Sequence, residues 1–255
     1  MSAESTPILA LQDVGHAFGG VHVLSRVSFS LPRGGLIGLI GPNGSGKTTL
    51  FNIISGFIRP LTGRVLFDGE DLRGSNVVQR SRRGLLRTFQ TPKVFEHMTV
   101  LENVAVGLYK VSQGGIVASM FRLPAARAEL GRMRDQAAAA CDAFGLSAVK
   151  NRLAGSLTAG ARRNVELARA AVSKPLMLLL DEPSSGLSKE EVDNLSEQIV
   201  RLNREGFSIL LVSHDMELMT IVDPVHVLSA GEIIASGSME AMHRDPKVQQ
   251  VYLGL

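Results

Sequence analysis

The 255-residue sequence predicts an α/β fold: a parallel-sheet core, preceded by an antiparallel β portion and interrupted by an inserted helical portion. Three observations predict it. The apolar run Leu36–Ile40 leads through a glycine-rich loop into residues 47–54, whose apolar side chains recur at helical spacing. Farther along, apolar residues 176–180, the helical pattern Lys189–Arg204 and apolar Ser208–Val212 repeat a strand–helix–strand rhythm. Between them, from about Thr99 to Ala143, the chain turns rich in Ala, Arg and Leu with helical periodicity.

Taken in order, Leu9–Phe18 and Val21–Leu31 read as two strands flanking Gly19-Gly20, a hairpin signal. The glycine loop and its helix follow, and residues 64–69 form another strand and turn. After the helical insert, residues 162–172 read as a helix that ends before Lys174-Pro175, because the residue preceding proline avoids helical geometry. Strand 176–180, helix Lys189–Arg204 and strand Ser208–Val212 come next, then a shorter helix from Met216 and a hairpin turning at Ala230-Gly231. The expected division is residues 1–98 for the β portion and first part of the core, 99–160 for the insert and 161–255 for the rest of the core. No internal repeat is present.

Composition excludes several classes. The balance of 27 basic to 24 acidic residues leaves a mild net charge of +3. Aromatic residues make up 5% and do not interleave with basic runs, which argues against a nucleic-acid surface. The single cysteine, Cys141, forms no disulfide within the chain, and its place after an alanine run suggests a small packed hydrophobe. Residues 1–7 lack the basic start and apolar stretch of a signal peptide. The longest apolar runs, around 176–180 and 209–212, are of strand length and too short to cross a bilayer. A soluble or membrane-peripheral protein is expected.

The chemistry concentrates in three places. Gly41-Pro42-Asn43-Gly44-Ser45-Gly46-Lys47-Thr48 follows the phosphate-cradling pattern G-x-x-x-x-G-K-[ST]. Glycines let consecutive main-chain N–H groups face phosphate oxygens, and the helix starting there adds its positive dipole end. Lys47 would reach the β- and γ-phosphates of a nucleotide, and the Thr48 hydroxyl would ligate Mg²⁺. A glycine-rich turn that binds nothing is the plainer reading, and the strand before and helix after oppose it. Asp181 and Glu182 follow the apolar run that starts at Met177, and open α/β sheets bind ligands at that strand end. Asp181 is placed to support Mg²⁺ and Glu182 to polarise an attacking water; the alternative is two solvated acids capping a strand. His214 follows Ser208–Val212 at another strand end, where it could sense a γ-phosphate rather than serve as a structural histidine.

Together these residues resemble the ATP-binding cassette family over nearly the whole chain, which implies a P-loop NTPase core with an antiparallel β subdomain and an inserted helical subdomain. The resemblance implies ATP and Mg²⁺ as ligands. Nucleotide contacts fall on Gly41, Asn43, Gly44, Ser45, Gly46, Lys47, Thr48 and Thr49, with Phe18 stacking on adenine. A phenylalanine in a strand is otherwise a core residue. Gln90, in Arg87-Thr88-Phe89-Gln90, matches the family's glutamine loop, which helps hold Mg²⁺ and the attacking water. Ser184-Ser185-Gly186-Leu187 matches the loop at the dimer interface, and His214 the switch histidine. The signature loop departs from the family's Leu-Ser-Gly-Gly-Gln: here it reads Leu157-Thr158-Ala159-Gly160-Ala161. Thr158 keeps a hydroxyl and Gly160 the close approach, but Ala161 lacks the amide. This loop acts across a dimer, so the departure bears on the site this chain completes for its partner.

Finer features resemble the ATP-binding subunits of branched-chain amino acid importers, specifically the larger of two paralogous ATPases. They include the 87–90 run, Val94-Phe95, Met98-Thr99-Val100, Glu102-Asn103, Leu123-Pro124, His214-Asp215-Met216 and Val251-Tyr252-Leu253-Gly254. Implied partners are a second ATPase subunit, two transmembrane permeases and, indirectly, a solute-binding protein outside the cell. The implied place is the cytoplasmic face of the membrane. Related urea, amide and lipid systems remain open, as does a soluble cassette protein. Arg80, Arg82, Arg83, Arg127, Arg132 and Arg134 could serve a membrane-facing surface, or simply be solvated helix faces.

Overall fold

The computed structural model describes residues 6–109 and 124–253. Leu123, Gly254, residues 1–5 and the side chains of Arg127 and Tyr252 lie outside the described residues. Two compact units cluster separately: residues 1–87 with 176–184 and 192–255, and residues 88–175 with 185–191.

In the larger unit, β1 (Leu9–Phe18) and β2 (Val21–Leu31) pair antiparallel with Phe18 opposite Val21. Gly19 and Gly20 both have positive φ, the two-residue turn whose twist suits a hairpin. The five residues of β3 (Leu36–Ile40) are all buried, as befits a strand covered on both faces. Helix α1 (Lys47–Ser55) follows. β4 occupies Thr62–Phe67, starting two residues before the expected 64, and Asp68 and Gly69, both at positive φ, make the expected turn into β5 (Glu70–Asp71). α2 (Val77–Arg82) carries a capping box between Asn76 and Gln79, and β6 (Leu85–Arg87) closes this segment.

Of the basic side chains expected to be solvated, Arg82, Arg83, Arg132 and Arg134 are exposed, and Arg80 corrects the expectation: it is 3% exposed. Its guanidinium donates to the Ile53 and Ile54 carbonyls at 2.6 and 2.8 Å and to Leu72 at 3.1 Å. The buried cation thereby satisfies carbonyls at the α1 C-terminus, where the helix dipole favours positive charge. Burial, then neighbouring Arg83, push its pKa down to about 10, with Asp71 opposing.

The smaller unit is helical. α3 (Val100–Val106) starts from a capping box of Thr99 and Glu102. α4 (Pro124–Ala143) buries Met133, Ala137 and Cys141 at four-residue spacing, so Cys141 is the packed hydrophobe expected. Burial pushes its thiol up to about 11. α5 runs over Ala159–Ala171. It begins three residues before the expected 162 because Thr158 is the N-cap, its hydroxyl accepting from the Ala161 N–H.

Back in the larger unit, β7 (Met177–Asp181) is buried except at Asp181. α6 (Lys189–Arg204) and β8 (Ser208–Val212) match the sequence reading. The helix expected from Met216 is a single 3-10 turn, Leu218–Ile221. The Asp215 carboxylate accepts from the Glu217 and Leu218 N–H groups, and Pro224 arrives before a second turn can form. β9 (Val225–Ser229) and β10 (Glu232–Gly237) make the hairpin at Ala230-Gly231, both at positive φ. Helices α7 (Met239–Arg244) and α8 (Pro246–Leu253) end the described chain. One sheet has the order β2-β1-β4-β5, the other β10-β9-β3-β8-β7-β6. In the second, β3 pairs parallel with β8 and β9, and β7 parallel with β6 and β8. Phe51, Ile53 and Ile54 of α1 join residues of both sheets in one apolar core, anchoring the helix whose other end carries the glycine loop.

Candidate active site

The glycine loop leaves the C-terminal end of β3 and enters α1. A Cβ at Gly41 would lie 2.0 Å from the Leu228 carbonyl oxygen, so only glycine passes there. Gly46, at φ 107°, caps α1 without a side-chain hydrogen bond, and the first turn holds no acid. The first N–H groups of α1 are therefore left to an outside acceptor, and the dipole makes an anion the favoured one. The Ser45 hydroxyl, buried in this loop, has no hydrogen-bond partner among the described residues, as a group awaiting a ligand oxygen would. Asn43, Gly44 and Thr48 are exposed, and Thr49 is half-buried. Lys47 curls over the loop, its ammonium donating to the Gly41 and Pro42 carbonyls at 2.7 and 2.9 Å. Burial lowers the Lys47 pKa, while the Glu182 and Asp181 carboxylates oppose that shift.

Those carboxylates come from the end of β7. Asp181 pairs with the Arg87 guanidinium at 2.6 Å, both side chains being nearly buried. Arg87 also donates to Asn52 Oδ1 at 2.7 Å and Ser55 Oγ at 3.0 Å on α1, and its guanidinium lies 5.6 and 5.9 Å from the Phe51 and Phe57 rings. The sequence reading had no role for Arg87. The signal that could have found it is a cation ending a short strand adjacent to one that ends in Asp181.

Glu182 sits at φ 47°, a left-handed conformation that costs a non-glycine residue about 1–2 kcal/mol. Its N–H donates to the Val212 carbonyl at 2.8 Å, which holds it there. The carboxylate faces His214, with Oε2 2.7 Å from Nδ1 and 3.3 Å from the main-chain nitrogen. The pairing of Asp181 with Val212 across β7 and β8 explains the meeting, since the chain leaves both strands at one level. Strained backbone of this kind concentrates at functional sites. Glu182 is mostly buried while His214 is 72% exposed, so the pair presents one shielded carboxylate and one solvent-facing imidazole.

Lys47, Asp181, Glu182 and His214 thus belong to one unit. Phe18 is half exposed rather than in the core, with His16 edge-on at 4.6 Å between ring centres. The remaining candidates lie in the smaller unit. Gln90 is exposed, and its main-chain carbonyl accepts from Arg163 at 2.5 Å. The Thr158 hydroxyl is engaged as a helix cap. A Cβ on Gly160 would fall 2.2 Å from Glu191 Oε1, so glycine admits that close approach.

The described residues contain no cluster of three or more His, Cys, Asp or Glu side chains fit to hold a metal ion. Thr48 and Asp181 offer hard oxygen donors, which suit Mg²⁺ completed by water and phosphate oxygens rather than by an all-protein cage. No described helix is long and apolar enough to cross a membrane.

Residues 24–185 match the ABC transporter family. The chain is 38% identical over 252 residues to the high-affinity branched-chain amino acid transport ATP-binding protein LivG of Salmonella typhimurium, covering 98% of this chain and 99% of that protein. It is 36% identical over the same length and shares to the corresponding protein BraF of Pseudomonas aeruginosa. The fold superposes with a TM-score of 0.84 on the ADP conformation of MJ1267, an ATP-binding cassette of an ABC transporter, at 30% identity over 98% of this chain and all of that one.

Proposed function

This chain belongs to the ABC transporter ATPase family, and from that premise we propose that it is the motor subunit of an importer for branched-chain amino acids. Relatives carrying that description match over 98% of this chain and 99% of their own length. The observation that carries the catalytic reading is the Glu182–His214 contact at 2.7 Å, at the ends of the neighbouring strands β7 and β8, of which β8 lies beside β3.

The loop N–H groups from Asn43 to Thr48 and the Lys47 ammonium would hold the phosphate tail of ATP, with Phe18 against the adenine. Thr48, Asp181 and Gln90 would hold Mg²⁺, which supplies charge neutralisation on the phosphates when bound. Arg87 fixes Asp181 so that one carboxylate oxygen keeps its direction. Glu182 accepts a hydrogen bond from the attacking water, and His214 both aims that carboxylate and reports on the γ-phosphate. Two subunits would sandwich two nucleotides, each closed by the other's signature loop through Thr158 and Gly160. The closed dimer binds ATP better than the open one, and that difference drives two permeases fed by a solute-binding protein. The chain would work at the cytoplasmic face of the membrane, with no nucleic-acid partner.

The test is to purify the chain with its membrane partners, reconstitute the complex and measure ATPase activity with candidate solutes. Stimulation by leucine, isoleucine or valine through the solute-binding protein is expected. Stimulation by urea, an amide or a lipid instead would overturn the substrate assignment.

A further inference from the structure

Residues 88–94, which carry Gln90, form no helix or strand, so their main-chain groups must find partners elsewhere. Three of them find partners on α5, the helix that starts at the signature loop. Arg163 donates to the Phe89 and Gln90 carbonyls at 2.6 and 2.5 Å. Glu166 Oε1 accepts from the Phe89 and Lys93 N–H groups at 3.4 and 3.3 Å, and its Oε2 accepts from Arg163 at 2.7 Å. Arg169 donates to the Lys93 carbonyl and lies 5.5 Å from the Phe95 ring. The three side chains recur every three residues and so line one face of α5. Arg163 and Glu166 are 1% and 3% exposed.

We infer that Arg163, Glu166 and Arg169 are positioning residues for the hydrolytic reaction, clamping the main chain of the glutamine loop to the signature helix so that Gln90 is presented in one geometry. This rests on the role given to Gln90 above. A buried ion pair contributes little net stability compared with apolar packing. Its worth here is directional: two charged groups bind both carbonyls and N–H groups of a loop that belongs to no helix or strand. Burial raises the Glu166 pKa, and Arg163 is the main influence opposing it. On the roles given above, the clamp also links two loops, since α5 starts at Thr158 and holds the loop that carries Gln90.

The experiment uses the full chain with Glu166→Met. Methionine keeps most of the side-chain volume and removes both carboxylate oxygens, so the Phe89 and Lys93 N–H groups and Arg163 all lose the acceptor. Hydrogen exchange is expected to speed up at least tenfold at the Phe89 and Lys93 amides, with α5 residues 165–171 unchanged as the control for folding. The ATPase kcat is expected to fall about tenfold with KM for ATP within twofold, because the loop at Lys47 is untouched. Unchanged exchange at Phe89 and Lys93 overturns the clamp, and faster exchange with unchanged kcat overturns its role in the reaction. Gln90→Ala separates the two readings: if its kcat equals that of the wild type, the Gln90 assignment fails while the exchange result still judges the clamp. Should Glu166→Met not fold, Arg163→Lys keeps the charge but cannot span the Phe89 and Gln90 carbonyls; freeing them loosens the same loop, so faster exchange at Phe89 and Lys93 is expected of it too.

Discussion

Replacing Arg87 with methionine keeps most of the side-chain volume and removes the charge that faces Asp181. The guanidinium is 8% exposed and the carboxylate 13%, so the ion pair is largely shielded from water. Breaking a buried pair by deleting one partner costs about 3–5 kcal/mol, because the remaining charge is left uncompensated. Arg87 also bonds Asn52 and Ser55, whereas the Ser55 hydroxyl keeps its own bond to the Phe51 carbonyl. The loss is therefore dominated by the orphaned Asp181, and about 3 kcal/mol is expected. Urea unfolding of the purified chain measures it as a lower midpoint at unchanged slope. The diagnostic comparison is the double variant Arg87→Met/Asp181→Asn. It has no stranded charge and should be more stable than Arg87→Met alone by about 1–3 kcal/mol, a coupling typical of residues in direct contact. A double variant destabilised by the sum of the single effects would refute the reasoning.

Three further outcomes are expected. Glu182→Gln should bind ATP normally and lose kcat by about 10²–10⁴-fold, the usual range for a general base, read by phosphate release; wild-type turnover would remove Glu182 from the mechanism. Restoring the family amide with Ala161→Gln should raise the ATPase rate only when the partner subunit's phosphate loop is intact, and an equal gain beside a Lys47→Ala partner would sink the cross-dimer reading. Arg80→Leu should destabilise the chain by about 2–4 kcal/mol in urea unfolding, because the α1 carbonyls it satisfies become buried acceptors without donors; a loss under 0.5 kcal/mol would mean water replaces it.

The core of the fold was legible because its signals are local. Buried parallel strands write themselves as continuous apolar runs, and the glycine loop writes its own chemistry between a strand and a helix. Arginines on short helices were not legible in the same way. Arg80 and Arg82 share α2, yet one is buried under the α1 terminus and the other is in water, a difference set by packing partners remote in sequence. Arg163 and Glu166 stand three apart on α5, a spacing that by itself does not tell a surface pair from one bonded to the loop at 88–94. The Thr158 hydroxyl was legible as a polar group of the signature loop, but not its bond to the Ala161 N–H, which depends on where α5 starts. The strained φ of Glu182 leaves no mark in sequence at all, since glutamate is not a residue chosen for left-handed backbone.

The most direct test is a calorimetric titration of ATP into the Glu182→Gln chain with and without Mg²⁺, beside a Lys47→Ala control. One saturable site per chain is expected, dependent on Mg²⁺ and weakened by at least about 100-fold without Lys47, the scale of losing a pre-organised charged contact to phosphate. Equal binding by the Lys47→Ala chain, or no binding by either, would contradict the claim that this loop is where the nucleotide is held.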